Sequence, residues 1–587
     1  MNQQLGGVEK ESSRKQHAHR EHIVLGLPNH TKSNINNVSA WYDDDGTQEL
    51  NTTTGNSGLT FPRQTANAVF AAGLMWGGMF NDGLTPEVRV NGQSYNSGMQ
   101  RGAILGIRTG IAEDPNAPDV RIWRVRRDYF NADLTLDAAE IFDVPPDQVT
   151  EEQIHAVRDQ YATDWTEWPA QKGATFYDSD NDGIYVPEFM NGEPIPYPDA
   201  DEPGLAGADQ VLWYVCNDLT PQPWTNVQSG IEQQTTIWGY NQTDALGNAI
   251  FKRFRLIYKG KASTPENAFI DSMYIGQWSD PDVGDYTDDY AGCDSARGLG
   301  YAYNAQPVDA VYSSYGLEPP ASGYDILQGP VIVTGNALDT AVFDFRKISG
   351  ATNRPTTSFV YIADQLPPFN ANGGIQWYQM LRGLPPIPQG PPDPPPIINP
   401  VTGQPTLFWL SGDPVAGTGW IDGIIDTPGD RRFLLASGPF SMALGDTQEI
   451  IVSTILGLGT SYLQSITILR FNDDLVQSWF NDLVDWSFPT DVKDLEKDLP
   501  QSFKLFQNYP NPFNPVTNFQ FTIANSQLTI LRVYDLLGRE VVTLVKEELS
   551  PGSYTRQWDV IGVASGVYYY RLKAGEFIET RKLVLLR

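Results

Sequence analysis

Short apolar and aromatic runs, separated by turns rich in Gly, Asn, Asp and Pro, constrain the fold of this chain more than any other feature. Gln210–Cys216 has the continuous apolar character of a buried strand. Ile231–Tyr240 and Asn248–Lys259 form a predicted strand pair, and alternation places four residues of the second strand on one face: Ile250, Phe254, Leu256, Tyr258. Because 53 Gly and 43 Pro accompany 27 Tyr, the sequence predicts a mainly β fold with many turns.

The chain has 587 residues, which exceeds the roughly 150 residues of an ordinary domain. We expect a flexible polar arm over residues 1–35 and a large β-rich extracellular body over 36–383. A Pro-rich connector follows at 384–400, and residues 401–487 complete the body. A linker at 488–500 then leads to a small immunoglobulin-like β-sandwich at 501–587.

Two helical insertions interrupt the β pattern of the body. One lies near residues 149–165, where Thr150 and Gln153 have the spacing of a capping box and apolar residues then recur at helical intervals. The other spans residues 461–483, with Leu463, Ile466 and Val476 on its predicted buried side. The fold class is therefore a β-rich body with helical insertions.

The net charge of −31 excludes several partners. Nucleic acid and anionic membrane surfaces are poor partners, because both are bound through clustered Lys and Arg. Residues 501–587 hold ten Lys and Arg but only seven Asp and Glu, so the acidity belongs to the rest of the chain. This acidity fits solubility outside the cell and the binding of divalent cations.

Membrane insertion and disulfide formation can also be judged from composition. No run of eighteen apolar residues occurs, so the sequence predicts no transmembrane helix. The first residues are polar without an apolar h-region, and no secretory signal peptide is visible in them. The two cysteines, Cys216 and Cys293, form either one disulfide or two buried thiols.

The segment Asp178-Ser-Asp180-Asn-Asp182-Gly183 has the spacing of the first half of a calcium loop. Carboxylates at alternating positions converge on one hard cation, and the Gly at position six permits the tight turn. The twelfth position holds Phe189 instead of the usual Glu, so a complete EF-hand is not predicted. The alternatives are a shorter calcium loop and a plain acidic turn.

A second acidic segment carries five carboxylates in ten residues: Asp280, Asp282, Asp285, Asp288, Asp289. Such a density of negative charge is unfavourable unless water or a cation neutralises it. The segment is therefore either a solvated loop or a second site for calcium, the cofactor that both acidic segments predict. A third acidic segment, Asp43–Gly46, is expected to be a solvated turn.

Catalytic constellations are scarce, and we assign no catalytic residue. Only His155 lies outside the predicted N-terminal arm, which leaves almost no histidine for a Ser-His-Asp set or a zinc site. A carbohydrate-active enzyme or glycan-binding protein remains the alternative, since it needs only carboxylates and aromatic platforms. Core packing is the expected role of the tryptophans.

Ten motif residues stand out in the last 87 residues: Asn508, Pro510, Asn511, Pro512, Phe513, Asn514, Pro515, Gly538, Arg539, Gly566. They belong to four segments in order, Gln507–Pro515, Val533–Arg539, Ala564–Tyr568 and Lys582–Leu586. This part of the chain resembles the type A C-terminal sorting domain of type IX secretion, found in Bacteroidetes and relatives. The resemblance implies contact with the type IX secretion machinery, translocation to the outer-membrane surface or the extracellular space, and removal of the tail.

The body also resembles an uncharacterised module of such secreted proteins, through Asp209–Trp213, Gly247–Phe251, Trp278–Asp294 and Ser437–Phe440. No activity follows from this resemblance. We expect a secreted or cell-surface protein with a structural or adhesive role, stabilised by calcium. Its expected partners are further copies of itself, other surface proteins or glycans.

Overall fold

The computed structural model describes residues 29–485 and 503–585 apart from short gaps. In the first range the gaps are residues 96, 206, 221–223, 225–226, 364–365, 369 and 389–391. In the second they are 509–510, 512, 514, 524–526, 537, 550–551, 561–562 and 576. The chain divides into two compact units, residues 1–487 and 488–587. We call the described parts of these units the body and the tail, and each is considered by itself.

The strands of the body follow in chain order: β1 (His30–Ser33), β2 (Ser39–Asp43), β3 (Leu50–Asn51), β4 (Asn56–Ser57), β5 (Leu59–Thr60), β6 (Asn67–Val69), β7 (Ala71–Asn81), β8 (Val88–Gly92), β9 (Gln100–Arg101), β10 (Trp123–Arg126), β11 (Phe176–Tyr177), β12 (Phe189–Met190), β13 (Glu193–Pro194), β14 (Glu202–Pro203), β15 (Gln210–Asn217), β16 (Ile231–Gly239), β17 (Ala249–Tyr258), β18 (Phe269–Asp280), β19 (Asp289–Asp294), β20 (Leu299–Asn304), β21 (Ala321–Gln328), β22 (Val331–Val333), β23 (Thr340–Phe343), β24 (Arg346–Ser349), β25 (Ala351–Asn353), β26 (Thr356–Ile362), β27 (Ile397–Ile398), β28 (Pro405–Thr406), β29 (Arg432–Ala443), β30 (Thr447–Gly457).

The α-helices of the body follow in the same order: α1 (Thr135–Ile141), α2 (Glu151–Thr166), α3 (Ala310–Ser314), α4 (Ala371–Leu381), α5 (Tyr462–Asp485). Thr150 is the N-cap residue of helix α2, and it forms a complete capping box with Gln153. None of the helices in the part of the chain that the structure describes has the length and apolar character needed to cross a membrane. With strands over 42% and helices over 15%, the prediction of a mainly β fold is confirmed.

Two antiparallel sheets form the centre of the body. The larger has nine strands in the order β10-β15-β16-β17-β30-β21-β20-β19, with β9 beside β15. The smaller has five strands in the order β26-β29-β18-β7-β8, and a four-stranded sheet, β1-β2-β5-β6, joins it through bridges at Gln48. One buried apolar cluster takes residues from both sheets, among them Leu212, Tyr214, Ile250, Phe254, Trp76, Ile275, Trp278, Phe433. The sheets therefore pack face to face as a sandwich.

Helices cover the opposite face of the larger sheet. A second apolar cluster combines strand residues with residues of α2 and α5: Trp213, Trp238, Phe251, Ile455, Val157, Trp165, Ile466, Phe480. Strands buried on both faces lack a polar alternation, which explains the continuous apolar run of Gln210–Cys216. Helix α4 lies beside β7 and β8 on the smaller sheet. The body is thus a sheet sandwich with helices on its outer faces.

Seven strands form the tail: β31 (Lys504–Leu505), β32 (Val516–Ile523), β33 (Gln527–Tyr534), β34 (Glu540–Leu549), β35 (Gly552–Asp559), β36 (Gly566–Ala574), β37 (Phe577–Leu585). They pair as two sheets, in the orders β31-β32-β35 and β34-β33-β36-β37. Phe519 and Phe521 of one sheet share a buried apolar cluster with Leu531 and Tyr570 of the other. This arrangement is the small β-sandwich that the sequence predicts.

The predicted N-terminal arm ends earlier than expected. Residues 1–28 lie outside the described residues, but His30–Ser33 form β1 and pair with Ser39–Asp43. The imidazole of His30 stacks on the indole of Trp41 with ring centroids 4.0 Å apart. Residues 29–35 therefore belong to the body, because cross-strand pairing buries a segment that its polar composition suggested would be solvated.

Candidate metal centre

Three carboxylates from separate parts of the sequence meet at one end of the smaller sheet. Asp280 is the last residue of β18, and Asp282 lies in the loop that follows. β18 pairs antiparallel with β29, and Ser279 faces Phe433, so the end of β18 lies beside the start of β29, where Asp430 is found. Carboxylate oxygens of Asp280, Asp282 and Asp430 all lie within 4.8 Å of one another. We call these residues the Asp280 cluster.

One tyrosine and one arginine contact the Asp280 cluster. The Tyr95 hydroxyl donates a hydrogen bond to Oδ2 of Asp280 and accepts one of 2.8 Å from Nε of Arg432. The same guanidinium pairs with Oδ2 of Asp430. Oδ1 of Asp280 and Oδ1 of Asp430 are buried and have no hydrogen-bond partner among the described residues, although Nε of Arg432 lies 3.6 Å from the former. Two acceptor atoms therefore lack the donor that a buried oxygen normally has.

The electrostatics of the Asp280 cluster are those of an under-neutralised anionic site. Burial raises the pKa of Asp282 to about 8, and the nearby carboxylates of Asp280 and Asp430 contribute to the increase. Burial also raises the pKa of Asp280 to about 7, and the Asp430 carboxylate contributes to the increase, although Tyr95 and Arg432 oppose it. When all three carboxyl groups are ionised, the single guanidinium leaves two negative charges unbalanced. Either protons or a divalent cation can supply that balance.

The remaining predicted carboxylates of this segment lie beyond the cluster. Asp289 is fully buried and accepts a 3.0 Å hydrogen bond from the Val283 N–H, and burial raises its pKa well above the usual value. Burial raises the pKa of Asp288 to about 6. Hydrogen bonds from Thr287 lower the pKa of Asp285. These three residues lie outside the convergent oxygens of the cluster.

Backbone contacts hold the loop that carries Asp282. The Asn67 side chain donates a 3.0 Å hydrogen bond to the carbonyl of Asp282, and the Gly284 N–H donates one of 3.0 Å to the carbonyl of Asn67. Gly284 has φ of 77°, and a Cβ there would lie 2.3 Å from Oδ1 of Asp309. Glycine is therefore required at this turn. The loop is built against the body, unlike a solvated loop.

The other predicted calcium loop brings Asp178 and Asp180 together with Asp201, which the sequence did not indicate. Backbone amides already satisfy these carboxylates. Asp178 accepts from the N–H of Gly183 at 2.8 Å, and Asp201 accepts from the N–H of Val186 at 2.9 Å. Asp182 accepts from the N–H of Ile184 at 2.7 Å and lies outside the convergent group. These contacts stabilise the turn through its own amides, and the short calcium loop stays a prediction.

The expectation for Asp43–Gly46 is wrong. Asp43 and Asp44 are 5% and 1% exposed, so this segment is not a solvated turn. Asp43 pairs with Nδ1 of His30 at 2.5 Å, and Asp44 pairs with Nε of Arg101 at 2.5 Å. Polar partners from other segments replace the lost water, which the local sequence does not show.

The alternative of a disulfide between Cys216 and Cys293 is also wrong, since both are buried free thiols. Cys216 lies on β15 and Cys293 on β19, six strand intervals apart in the larger sheet. At about 4.8 Å per interval this places them roughly 29 Å apart. A disulfide tolerates a Cα separation of only about 7 Å.

Several sorting-motif residues join the start of the tail to its last strand. The Asn511 side chain accepts a 2.8 Å hydrogen bond from the Val584 N–H and donates one of 3.3 Å to the Lys582 carbonyl. The Phe513 N–H donates to the Val584 carbonyl at 2.9 Å, and the Phe513 ring is buried. The Asn508 side chain donates to the Thr517 hydroxyl at 2.9 Å. Pro510, Pro512 and Asn514 lie outside the described residues.

Of the other four motif positions, Gly538 and Arg539 lie in one turn of the tail. Gly538 has φ of 77° and donates its N–H to the Asp535 carbonyl at 3.0 Å. Arg539 pairs with the Asp535 carboxylate at 2.7 Å. Pro515 accepts from the Val560 N–H at 3.0 Å, and Gly566 begins β36. The described motif residues therefore make contacts within the sandwich itself.

Comparison with known proteins identifies the tail. The family model of the secretion system C-terminal sorting domain matches residues 507–586. The chain thus carries a type IX sorting domain, which implies contact with the type IX secretion machinery and export to the cell surface or the extracellular space.

The other comparisons add no function. A solved structure of a polysaccharide lyase shares 8% identity and a TM-score of 0.15, over 60% of this chain and 34% of the lyase chain. A similarity of this size supports no statement about the body. No curated protein has a significant match to the chain.

Proposed function

We propose that this chain is an exported, non-enzymatic surface protein with a structural or adhesive role, and that a calcium ion bound by the Asp280 cluster stabilises its body. The observation that carries the proposal is the pair of buried, unpartnered oxygens on Asp280 and Asp430. A cation between them would satisfy both atoms and balance the two excess negative charges. It would also join the end of β18 to the start of β29.

The donor set favours calcium among divalent cations. Three carboxylates are more protein ligands than magnesium usually takes, and calcium accepts six to eight oxygen ligands in flexible geometry. The half-buried positions of Asp282 and Asp430 leave room for water to complete the coordination. The absence of nitrogen and sulfur donors among the three ligands disfavours zinc.

The burial of the tryptophans supports a structural role over a carbohydrate-active one. Every tryptophan that the structure describes is buried or half-buried, and eight are fully buried: Trp76, Trp165, Trp213, Trp224, Trp238, Trp278, Trp377, Trp420. A glycan site needs exposed aromatic faces beside its carboxylates. These eight tryptophans pack in the two apolar clusters of the body instead.

Calcium titration of the full chain tests the proposal. Isothermal calorimetry on chelator-treated protein at pH 7.5 should show one dominant calcium site and a higher melting temperature on binding. Asp430→Asn should weaken binding at least tenfold. Asp178→Asn is the matched control and should leave this site unchanged, because the Asp178 loop is satisfied by its own amides. Absence of calcium binding, or equal losses in both variants, would overturn the proposal.

A further inference from the structure

A fully buried polar group lies between the two sheets of the body. Lys252, Gln48 and Glu49 are each 0% exposed. Lys252 belongs to β17 of the larger sheet, whereas Gln48 and Glu49 lie between β2 and β3 and belong to the opposite layer. An amine, an amide and a carboxylate from two layers thus meet in a dry core.

Backbone hydrogen bonds hold Lys252 in the larger sheet and Gln48 in the opposite layer. Lys252 pairs with Ile237 on one side and Val452 on the other, and alternation directs its side chain to the same face as Ile250 and Phe254 in the inner core. Gln48 exchanges two backbone hydrogen bonds with Ala72 of β7, at 2.8 and 3.2 Å. The three side chains are therefore held by paired strands.

Glu49 is held in a conformation that non-glycine residues seldom adopt, with φ of 56°. Its N–H nonetheless donates a 2.7 Å hydrogen bond to the Trp41 carbonyl, so the surrounding structure maintains this strained backbone. Left-handed backbone at a buried non-glycine residue concentrates at functional positions. The strain at Glu49 places its carboxylate beside the amine.

The contacts of the group are close and specific. Nζ of Lys252 lies 3.0 Å from Oε1 of Gln48 and 3.0 Å from Oε1 of Glu49. The Thr454 hydroxyl donates to Glu49 at 3.0 Å, and the Tyr324 hydroxyl donates to its other oxygen. Nε2 of Gln48 is buried and has no hydrogen-bond partner among the described residues. The amide is thus held through its oxygen, and its nitrogen has no anchoring contact there.

We infer that Lys252 and Gln48 react with each other to form an intramolecular isopeptide bond, with Glu49 as the catalytic proton carrier. Glu49 first accepts a proton from the Lys252 ammonium, which leaves a neutral amine. The Nζ lone pair then attacks Cδ of Gln48. As the Cδ–Nε2 bond breaks, Glu49 gives the proton it holds to Nε2, which leaves as ammonia, and takes the second proton of Nζ, so Glu49 ends protonated. No oxidant or other co-reactant is needed.

The buried environment supplies what this reaction requires, namely a neutral amine, a carbonyl beside it and the exclusion of water. Burial lowers the pKa of Lys252, although Glu49 opposes that effect, and the neutral amine is the nucleophilic form. The amide oxygen already contacts Nζ, so rotation about the last side-chain torsion of Gln48 turns its carbonyl face toward the amine. Exclusion of water protects the product from hydrolysis. The bond would connect positions 204 residues apart and tie the two layers of the sandwich covalently.

The intact mass of the purified full chain tests the inference. We expect a mass lower than the sequence mass by one ammonia. Proteolysis under reducing, denaturing conditions should release a branched peptide that joins the segments containing Gln48 and Lys252. A mass equal to the sequence mass, unchanged after prolonged incubation of the folded chain, overturns the inference. Loss of ammonia that maps elsewhere, such as a succinimide at an Asn-Gly pair, also overturns it.

Variants separate the chemistry from folding. Lys252→Arg keeps the positive charge but should restore the full sequence mass, and Glu49→Gln should leave both reacting groups present yet unjoined. Lys259→Arg is the matched control, because Lys259 pairs with Glu232 at 2.6 Å just beyond the end of the same strand and should retain the mass deficit. A branched peptide in Lys252→Arg, or loss of the deficit in Lys259→Arg with a native circular dichroism spectrum, contradicts the assignment. If a variant does not fold, the wild-type mass alone decides.

Discussion

Replacement of Asp282 by asparagine should have opposite effects on body stability with and without calcium. The folded state raises the pKa of Asp282 from 3.8 to about 8. Between these values the folded chain retains a proton that the unfolded chain releases, so stability falls as the pH rises through this window. Asparagine cannot ionise and avoids that loss. In a chelator the variant should therefore be more stable than the wild type at neutral pH.

The size of this effect follows from the same shift. The pH of 7 lies about three units above the pKa of Asp282 in the unfolded chain, and each unit costs about 1.4 kcal/mol. The folded state therefore loses roughly 4 kcal/mol of stability through this group. Asp282 is half-buried, and solvent screening reduces this figure to about 2 kcal/mol. The entropy of unfolding is about 2 cal/mol/K per residue, so a body of roughly 450 residues should melt about 2 °C higher for that gain.

Calcium should reverse the order. At a free concentration about 1,000-fold above the dissociation constant, the ion adds about 4 kcal/mol to the wild type. The variant offers a neutral amide oxygen in place of a carboxylate and should gain far less. The wild type should then be more stable than the variant by about 2 kcal/mol, the arithmetic difference of the two effects.

Differential scanning calorimetry at pH 7, with calcium and with a chelator, measures both arms of this prediction. At pH 4.5 in the chelator the two proteins should melt nearly together, because Asp282 is then mostly protonated in the folded state. Asp285→Asn is the control, since Asp285 lies in the same loop outside the convergent oxygens. A variant that is less stable than the wild type under every condition would refute the electrostatic reasoning.

Further predictions concern a helix, the thiols and the tail. Thr150→Ala removes the capping box of α2 and should destabilise the body by about 1 kcal/mol in urea unfolding, and an unchanged midpoint would contradict the cap's contribution. Cys216 and Cys293 should both react with a thiol reagent after denaturation without reductant, whereas fewer than two thiols would indicate a disulfide. Asn511→Ala should accelerate hydrogen exchange at the Val584 amide about tenfold, and unaltered protection there would show that the side-chain contact is dispensable.

The sequence predicted much of the fold because strand signals are local. The alternation of Ile250, Phe254 and Leu256 requires only neighbouring residues, and β17 covers them as expected. The capping box at Thr150 is equally local and marks the start of α2. By contrast, polar composition wrongly predicts solvated positions for Asp43 and His30, since the partners that bury them lie in other strands and loops.

The candidate metal centre could be predicted only in part for the same reason. Asp280 and Asp282 lie two positions apart in sequence and were expected to share a site. Asp430, Tyr95 and Arg432 reach it through the pairing of β18 with β29 and through the loop after β8. No sequence pattern indicates that a residue 150 positions away supplies the third carboxylate. The register between distant strands carries that information.

Lys252 is a departure from pattern that the sequence did contain. It occupies a position between Ile250 and Phe254 where alternation requires an apolar side chain. An unmodified lysine in that core carries a desolvation cost that pairing with one carboxylate offsets only incompletely. Conversion of its amine to an amide removes the charge and retains a polar group with a fixed geometry.

The chain has only two cysteines, both free and too far apart to pair, so no disulfide within it can join the layers of the sandwich. A lysine–glutamine cross-link would supply that connection independently of redox conditions, while the Asp280 cluster stabilises one end of the smaller sheet through an ion. The mass measurement and the calcium titration report on these two stabilising devices separately, because chelation leaves an amide bond intact and Lys252→Arg leaves the carboxylates of the cluster in place.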